Sequence, residues 1–169
     1  MKYIVSILTI AALLSPRIIT LEDYYSGKGV IFDEKANYPF RDQDYEKSIT
    51  PTIDNIKLAE DILFDKYYIH RVNVLKGFGA RESLIPQKYK KAKNVKKKFN
   101  KYYRQYAGFV NKSNDTIIYI GLFDFSNKKK AQKYFEGWDQ LISIGFGDFY
   151  LNHQEYYEIN ISKNEIIDK

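Results

Sequence analysis

Apolar side chains recur at three- and four-residue steps between residues 53 and 67, while charged side chains fall on the opposite side of the same helical projection. Thr52 can cap this segment, and Pro51 suits a first helical turn. The pattern predicts an amphipathic helix that begins near residue 52 and packs on a sheet through one apolar stripe. The stripe consists of Ile53, Ile56, Ala59, Leu63 and Tyr67.

A second periodic segment follows Pro86. Its apolar residues share one arc at about 100° per residue, and lysines cover most of the opposite arc. These spacings predict a second amphipathic helix with a strongly basic outer face. The apolar arc consists of Tyr89, Ala92, Val95, Phe99 and Tyr103.

The composition becomes strand-like after Lys101. Residues 102–110 and 116–123 are rich in β-branched and aromatic side chains, and the polar residues 111–115 between them are typical of a hairpin connection. In the second strand, Ile118, Ile120 and Leu122 point to one face, and both faces carry apolar groups. The other face has Ile117, Tyr119 and Phe123. The hairpin is therefore expected to be a central part of a sheet.

Two later runs, residues 140–146 and 155–162, also have strand-like patterns, and a turn at residues 145–148 (Gly-Phe-Gly-Asp) would separate them. Residues 126–137 are polar and compatible with a helix, and residues 29–32 could form one short strand. The sum predicts an α+β fold, with two amphipathic helices packed on a four-stranded antiparallel β-meander.

The N-terminus has the pattern of an export signal. Lys2 precedes an uncharged run over residues 4–14, which Pro16 and Arg17 interrupt. The run is too short to cross a bilayer as a helix but has the length of a signal-peptide core. We therefore expect residues 1–20 to be a signal peptide, or alternatively an N-terminal hydrophobic segment, and residues 21–169 to form a single α+β domain. The expected location is periplasmic or extracellular.

The chain has no cysteine, which excludes disulfides, thiolate metal sites and a cysteine nucleophile. Its formal charge of +6 arises locally, because residues 83–114 hold ten basic side chains and no acidic ones. The rest of the chain sums to −4. The protein is thus basic along one segment, not throughout.

This basic segment is the main candidate for a binding surface. Its side chains could contact the phosphates of a nucleic acid, of lipid headgroups or of lipopolysaccharide, or they could form an ordinary solvated helix face. Lysines far outnumber arginines here, and planar bidentate recognition of phosphate favours arginine, so no specific nucleic acid is expected. The candidate residues are Lys90, Lys93, Lys97, Lys101 and Arg104.

Catalytic chemistry has little support in the sequence. The two histidines, His70 and His153, belong to no motif that joins them to a nucleophile or an acid, and no spacing indicates a metal or cofactor site. Carboxylates near strand ends could still approach each other in the fold. The favoured hypothesis is a non-enzymatic binding domain whose partner is an envelope protein or an anionic surface. The alternative is an envelope hydrolase with a carboxylate site between sheet and helices.

Three stretches occur in the order seen in a group of small uncharacterised exported proteins of Bacteroidetes bacteria, which this chain resembles over residues 49–162. They are TPTIDNIKLAEDIL, then KYYRQYAGFVN with the following TIIYIGLF, and finally GFGDFYLNHQEYYEINI. In that group a glycine-rich turn with aspartate precedes the last strand; here Gly145, Gly147 and Asp148 correspond to it loosely. The resemblance implies export and this order of strands, and it implies no activity.

Overall fold

The computed structural model describes residues 16–39, 41–79, 81–142 and 144–168. Within this part the fold is α+β, as expected, and consists of one seven-stranded sheet and four α-helices. The strands are β1 (Arg17–Ile19), β2 (Gly29–Ile31), β3 (Tyr45–Ile49), β4 (Tyr102–Asn111), β5 (Thr116–Asp124), β6 (Gln154–Asn160) and β7 (Glu165–Ile166). The helices are α1 (Ile53–Gly77), α2 (Ala92–Phe99), α3 (Lys128–Tyr134) and α4 (Asp148–His153). The hydrophobic run at residues 4–14 lies outside the described residues.

The strands form one sheet in the order β1-β2-β4-β5-β6-β7, and β3 pairs with β4 as well. β2 and β4 are parallel, and every other pair is antiparallel. The predicted four-stranded antiparallel meander is therefore wrong as a description of the whole sheet, because the segment before α1 adds three strands and one of them is parallel to its neighbour.

No helix in the described residues is long and apolar enough to span a membrane.

The predicted hairpin is confirmed. β4 and β5 pair continuously from Tyr102 opposite Asp124 to Val110 opposite Thr116. The connection turns at Asn114, whose φ of 63° lies in the left-handed region that asparagine tolerates. Both faces of β5 are buried, as the sequence predicted.

The two faces of β5 belong to different cores. Ile118, Ile120 and Leu122 pack in the cluster that contains the buried side chains of α1 and α2. Ile117 and Tyr119 pack on the opposite face with residues of the N-terminal segment and β4. The sheet is thus covered by the long helix on one side and by loops and short helices on the other.

Helix α1 begins where its sequence predicted. Thr52 caps the helix by accepting a hydrogen bond from the Asn55 N–H at 3.1 Å, and the Asn55 side chain accepts one from the Thr52 N–H in return. Ile56, Ala59 and Leu63 are fully buried against the sheet. The apolar stripe read from the sequence is the stripe that packs.

The second predicted helix is shorter than expected. A 3₁₀ turn covers Gln87–Lys90, Lys91 is extended, and α2 itself runs only from Ala92 to Phe99. Val95 and Phe99, one turn apart, are fully buried. The chain then enters β4, so Tyr103 belongs to the sheet and not to the helix.

The described residues of the run 140–146 form no strand, which corrects the sequence prediction. The Gln105 side chain donates hydrogen bonds to the carbonyl oxygens of Trp138 and Leu141, the latter at 2.7 Å. These bonds satisfy two carbonyl groups that have no strand partner. Half-buried Ile142 packs on the sheet face as a loop residue. The residues after Gly147 form the short helix α4 instead of a turn.

An ion pair lies at the centre of the helix-covered core. Arg104 and Glu60 are both 0% exposed, and the guanidinium Nε donates to Glu60 Oε1 at 3.1 Å. Arg104 Nη1 also donates to the carbonyl oxygen of Phe99 at 2.8 Å. Tyr106 donates its hydroxyl to the same Glu60 oxygen at 2.8 Å, and the guanidinium stacks on the Tyr25 ring at 3.8 Å. The network therefore joins α1, the end of α2, β4 and the N-terminal segment.

Buried tyrosines are a feature of the cores on both faces of the sheet. Burial raises the pKa of Tyr25 to about 12 and raises the pKa values of several others further. In most of them, a neighbouring carboxylate adds to the effect of burial. The other tyrosines with strongly raised pKa values are Tyr38, Tyr67, Tyr102, Tyr106, Tyr119 and Tyr157.

We expect these tyrosines to make the fold sensitive to alkali. A tyrosine ionises near pH 10 in the unfolded chain but keeps its proton to higher pH in the fold, so its stabilising contribution is complete below about pH 10 and is lost as pH rises. Each such group lowers the free energy of unfolding by about 1.4 kcal/mol per pH unit above that point. Circular dichroism should be lost in one cooperative step, and the tyrosinate absorbance of the buried tyrosines should appear in that same step, after the exposed tyrosines have ionised.

The exposed Tyr134 provides the control for this titration. Tyr134→Phe should leave the midpoint of the alkaline transition unchanged. Gradual ionisation of all tyrosines near pH 10, with the circular dichroism of the native fold retained, would contradict the expectation.

Candidate functional site

A basic depression of about 640 Å³ lies where α2 meets the start of β4 and the end of β5. Five lysines line it, together with Asn100, Tyr102, Asp124 and Ser126. The depression is open to solvent on the side of the lysines. The lysines are Lys93, Lys96, Lys97, Lys98 and Lys101.

The position of these lysines follows from the packing of α2. Val95 and Phe99 face the core, so Lys93 and Lys97, which are one turn apart, are on the outward side. Lys101 continues this row directly after the helix ends. We call the exposed set Lys93, Lys97 and Lys101 the lysine row. Among the described residues, none of the three forms an ion pair with an acidic side chain.

Asp124 is the acidic residue that lines the depression, and its carboxylate is already bonded. It accepts hydrogen bonds from the Ser126 N–H at 2.9 Å and from His153 Nδ1 at 3.2 Å. Burial by itself would raise the pKa of Asp124, but these hydrogen bonds and the adjacent imidazole outweigh burial and hold that pKa below its usual value. The carboxylate is therefore engaged by Ser126 and His153, and it forms no ion pair with the lysine row.

Two residues predicted for the basic surface lie elsewhere. Lys90 is exposed but belongs to the 3₁₀ turn, and its ammonium group lies over the Tyr68 ring at 5.1 Å, outside the depression. Arg104 is not on any surface, because its side chain is completely buried in the ion pair with Glu60. The prediction of Arg104 as an exposed binding residue is corrected by this burial. Lys93, Lys97 and Lys101 do lie together.

The sequence did not single out Lys98, which has a different environment from the lysine row. Its ammonium group pairs with Glu155 and donates to the Tyr67 hydroxyl at 2.9 Å. Tyr157 donates its hydroxyl to the other Glu155 oxygen. Burial lowers the pKa of Lys98, and the attraction of Glu155 opposes that effect in part. The ring of the neighbouring Phe99 lies 4.0 Å from the ammonium group, but no local pattern in the sequence marked this lysine as half-buried.

A groove of about 560 Å³ lies on the other side of this pair, between α1, β6 and α4. Glu155 lines the groove, while Lys98 lines the basic depression, so the ion pair is the boundary between the two. His70 and Arg71 enter the groove from α1, and His70 Nδ1 lies 2.7 Å from Asp168 Oδ1. Burial lowers the pKa of His70, and Asp168 opposes this effect in part.

The polar groups near the groove do not form a recognised catalytic arrangement. Glu155 is bonded by an ammonium group and a tyrosine hydroxyl, so both of its oxygens are engaged. His153 bonds Asp124 and packs its ring on Phe149 at 4.5 Å. In the described part of the chain, no group of three or more histidine, aspartate and glutamate side chains is placed to hold a metal ion.

A second group of lysines was also missed by the sequence analysis. α3 carries Lys128, Lys129, Lys130 and Lys133, all of them exposed. Ser126 lines the basic depression, and α3 begins two residues later, so the lysines at its start adjoin the depression through the chain. The run of three consecutive lysines at 128–130 was the signal available in the sequence.

Comparison of the chain with protein-family models, with curated protein sequences and with solved structures finds no match.

The ion pair of Lys98 with Glu155 should contribute to stability. Glu155→Gln would leave a half-buried ammonium group without its counter-charge, and we expect a loss of about 1–3 kcal/mol in the free energy of unfolding. The double variant Lys98→Met/Glu155→Gln should recover part of this loss, because it removes both charges. Urea denaturation of the single and double variants measures both effects.

Glu46→Gln, at an exposed position of β3, is the matched control and should change the stability by less than about 0.5 kcal/mol. Equal stability of Glu155→Gln and the unmodified protein would show that the ion pair does not stabilise the fold.

Proposed function

We propose that this protein is an exported, non-enzymatic domain that binds an anionic surface through the lysine row and the depression beside it. One observation carries the proposal: Lys93, Lys97 and Lys101 present three charges on one exposed face, with no acidic partner among the described residues. Opposite charges normally intersperse on a soluble surface, so an uncompensated row attracts anions.

The choice of lysine over arginine indicates how selective the binding is. Lysine ammonium groups are compact, strongly hydrated charges on flexible stems, and they lack the planar fork by which arginine recognises one phosphate. The arginine of this segment, Arg104, is buried in the core and cannot contact a ligand. The expected binding is therefore diffuse, dependent on salt and weakly selective among polyanions.

The lysines of α3 would enlarge the basic surface. Lys128 follows Ser126 by two residues, and Ser126 is part of the depression. A ligand that extends beyond the depression would therefore meet further positive charge. This arrangement favours an extended anionic surface over a single small anion.

The alternative of an envelope hydrolase has one observation in its favour, which is the position of Glu155 between the helices and the sheet at the edge of a groove. Both Glu155 oxygens are bonded by Lys98 and Tyr157, so the carboxylate would have to break these bonds to act as a base. The unpaired lysine row needs no such rearrangement to bind an anion. We therefore favour the binding function.

Export is part of the proposal and is supported by the hydrophobic run at residues 4–14 and by the resemblance to exported proteins of Bacteroidetes. β1 sets a limit on where a signal peptide could end. Arg17–Ile19 pairs with β2, and Ile19 is 8% exposed in the core. A mature chain that keeps this strand must begin at or before Arg17.

Intact-mass analysis of the protein purified from the native cell envelope should give a mature chain that begins between Ser15 and Arg17. Cleavage in this range removes the hydrophobic run and retains β1. A soluble cytoplasmic species that begins at Met1 would contradict export, and a start after Ile19 would contradict the role of β1 in the exported domain.

The lysine row can be tested with the triple variant Lys93→Gln, Lys97→Gln and Lys101→Gln. Binding to anionic vesicles, lipopolysaccharide and a random oligonucleotide is measured at low salt and near physiological salt. Each lysine contributes about 1 kcal/mol near an anionic surface, so the triple variant should bind about 100-fold more weakly at low salt. Its affinity should also depend less steeply on salt.

A matched variant changes the same amount of charge at the other end of β4, through Lys35→Gln, Lys47→Gln and Lys112→Gln. This control should bind nearly as the unmodified protein does. Equal loss of affinity in both triple variants would mean that net charge matters and the lysine row does not.

A further inference from the structure

We propose that the anionic partner is a phospholipid bilayer, and that apolar side chains at the rim of the neighbouring groove insert into it while the lysine row contacts the headgroups. This inference rests on the proposed function, because it names the partner of the same basic surface.

The rim of the groove exposes large apolar side chains. Phe146 is 90% exposed, Phe78 is 84% exposed and Leu151 is 81% exposed. Phe146 and Leu151 line the groove together with Val74 of α1. Phe78 lies one helical turn beyond Val74, on the same side of the helix. We call Phe78, Phe146 and Leu151 the apolar rim.

Backbone hydrogen bonds hold two members of the apolar rim in place. The Phe78 N–H donates to the carbonyl oxygen of Leu75 at 3.1 Å as the C-cap of α1. The Leu151 N–H donates to the carbonyl oxygen of Gly147 at 3.1 Å in α4. The two side chains thus project from helical backbone, and their exposure is a property of the fold.

The apolar rim adjoins the basic depression. The Lys98–Glu155 ion pair has one partner in each lining, so the two surfaces meet at that pair. α4 makes a second connection, because Leu151 lines the groove and His153, two residues later, bonds Asp124 of the depression. The basic depression and the groove whose rim carries exposed apolar side chains therefore share a boundary.

A bilayer accounts for both parts of this region. A nucleic acid duplex, or another soluble polyanion without exposed bases, would use the lysines alone and would leave the apolar rim in water. The interface of an anionic membrane offers phosphates to the lysines and acyl chains to the apolar side chains. Tyr156, which lines the groove and is half-exposed, has the amphipathic ring that is common at headgroup depth.

Insertion can be observed directly, because the chain has no cysteine and a single introduced thiol is labelled selectively. Phe146→Cys carries an environment-sensitive fluorophore, and Ser113→Cys, at the exposed turn after β4, carries the same label as a control. Vesicles of phosphatidylglycerol and phosphatidylcholine in equal parts should shift the emission of the label at position 146 to the blue and leave the label at position 113 unchanged. An unchanged label at position 146 on vesicles that bind the protein would overturn the proposal.

Measurements of affinity for vesicles and for an oligonucleotide distinguish the bilayer proposal from the proposed function on which it rests. Phe146→Ser and Leu151→Ser should each weaken binding to these vesicles about 10- to 100-fold and leave binding to a random duplex oligonucleotide unchanged. Vesicle binding equal to that of the unmodified protein in both variants would overturn the bilayer proposal alone. Failure of the lysine-row triple variant to lose affinity for either ligand would instead overturn the proposed function. Both substituted side chains are exposed, so the variants should fold, as circular dichroism would verify.

Discussion

The buried ion pair of Arg104 with Glu60 is the interaction on which the arrangement of helices and sheet depends. Both side chains are excluded from solvent, and removal of either one would leave an uncompensated charge inside the core. Arg104 also donates to the carbonyl oxygen of Phe99, the last residue of α2, and Tyr106 donates to Glu60. One guanidinium thus fixes α1 over β4 and fixes the end of α2 beside it. The packing of Val95 and Phe99 sets the rotation of α2, so the lysines on its outer side take their direction from the core.

Some basic side chains of residues 88–104 are buried and others are exposed. This difference explains why the sequence predicted only part of the basic surface. Arg104 follows eight lysines within the segment 88–104, and although it lies in the predicted strand 102–110, the strand pattern does not show whether its side chain is buried. Its burial depends on Glu60, which is 44 residues away in the chain. Lys98 is a similar case, since its partner Glu155 lies on a strand near the other end of the sequence. Lys93, Lys97 and Lys101 could be predicted because their exposure depends only on the apolar period of α2.

Elements of the fold, like the basic residues, could be predicted where their cause is local in the sequence and not where it is a distant partner. The α1 stripe and the two faces of β5 were predictable because each follows from a period that is sustained over several residues. The run 140–146 also has a strand-like pattern, but the Gln105 side chain bonds the carbonyl oxygens of Trp138 and Leu141 and holds the segment as a loop. β3 contains charged Glu46 and Lys47 and becomes a strand because β4 offers it an edge beyond β2. Neither the loop at residues 140–146 nor the strand β3 can be predicted from its own sequence, since the residues that it bonds to are elsewhere in the chain.

The abundance of tyrosine and the uncompensated lysines are physically connected. Each of three buried or half-buried carboxylates accepts a tyrosine hydroxyl: Glu60 from Tyr106, Glu158 from Tyr38 and Glu155 from Tyr157. A hydroxyl occupies one carboxylate oxygen without adding a positive charge, so in the described part of the chain Glu60 and Glu155 each have a single basic partner, Arg104 and Lys98 respectively. Asp124 is similarly bonded by Ser126 and His153. Glu155 and Asp124, the acids that adjoin α2 at the depression, are therefore bonded within the protein, and Lys93, Lys97 and Lys101 form no ion pair among the described residues. The uncompensated basic face thus follows from where these two acids find their partners, and that face is left available to an external anion.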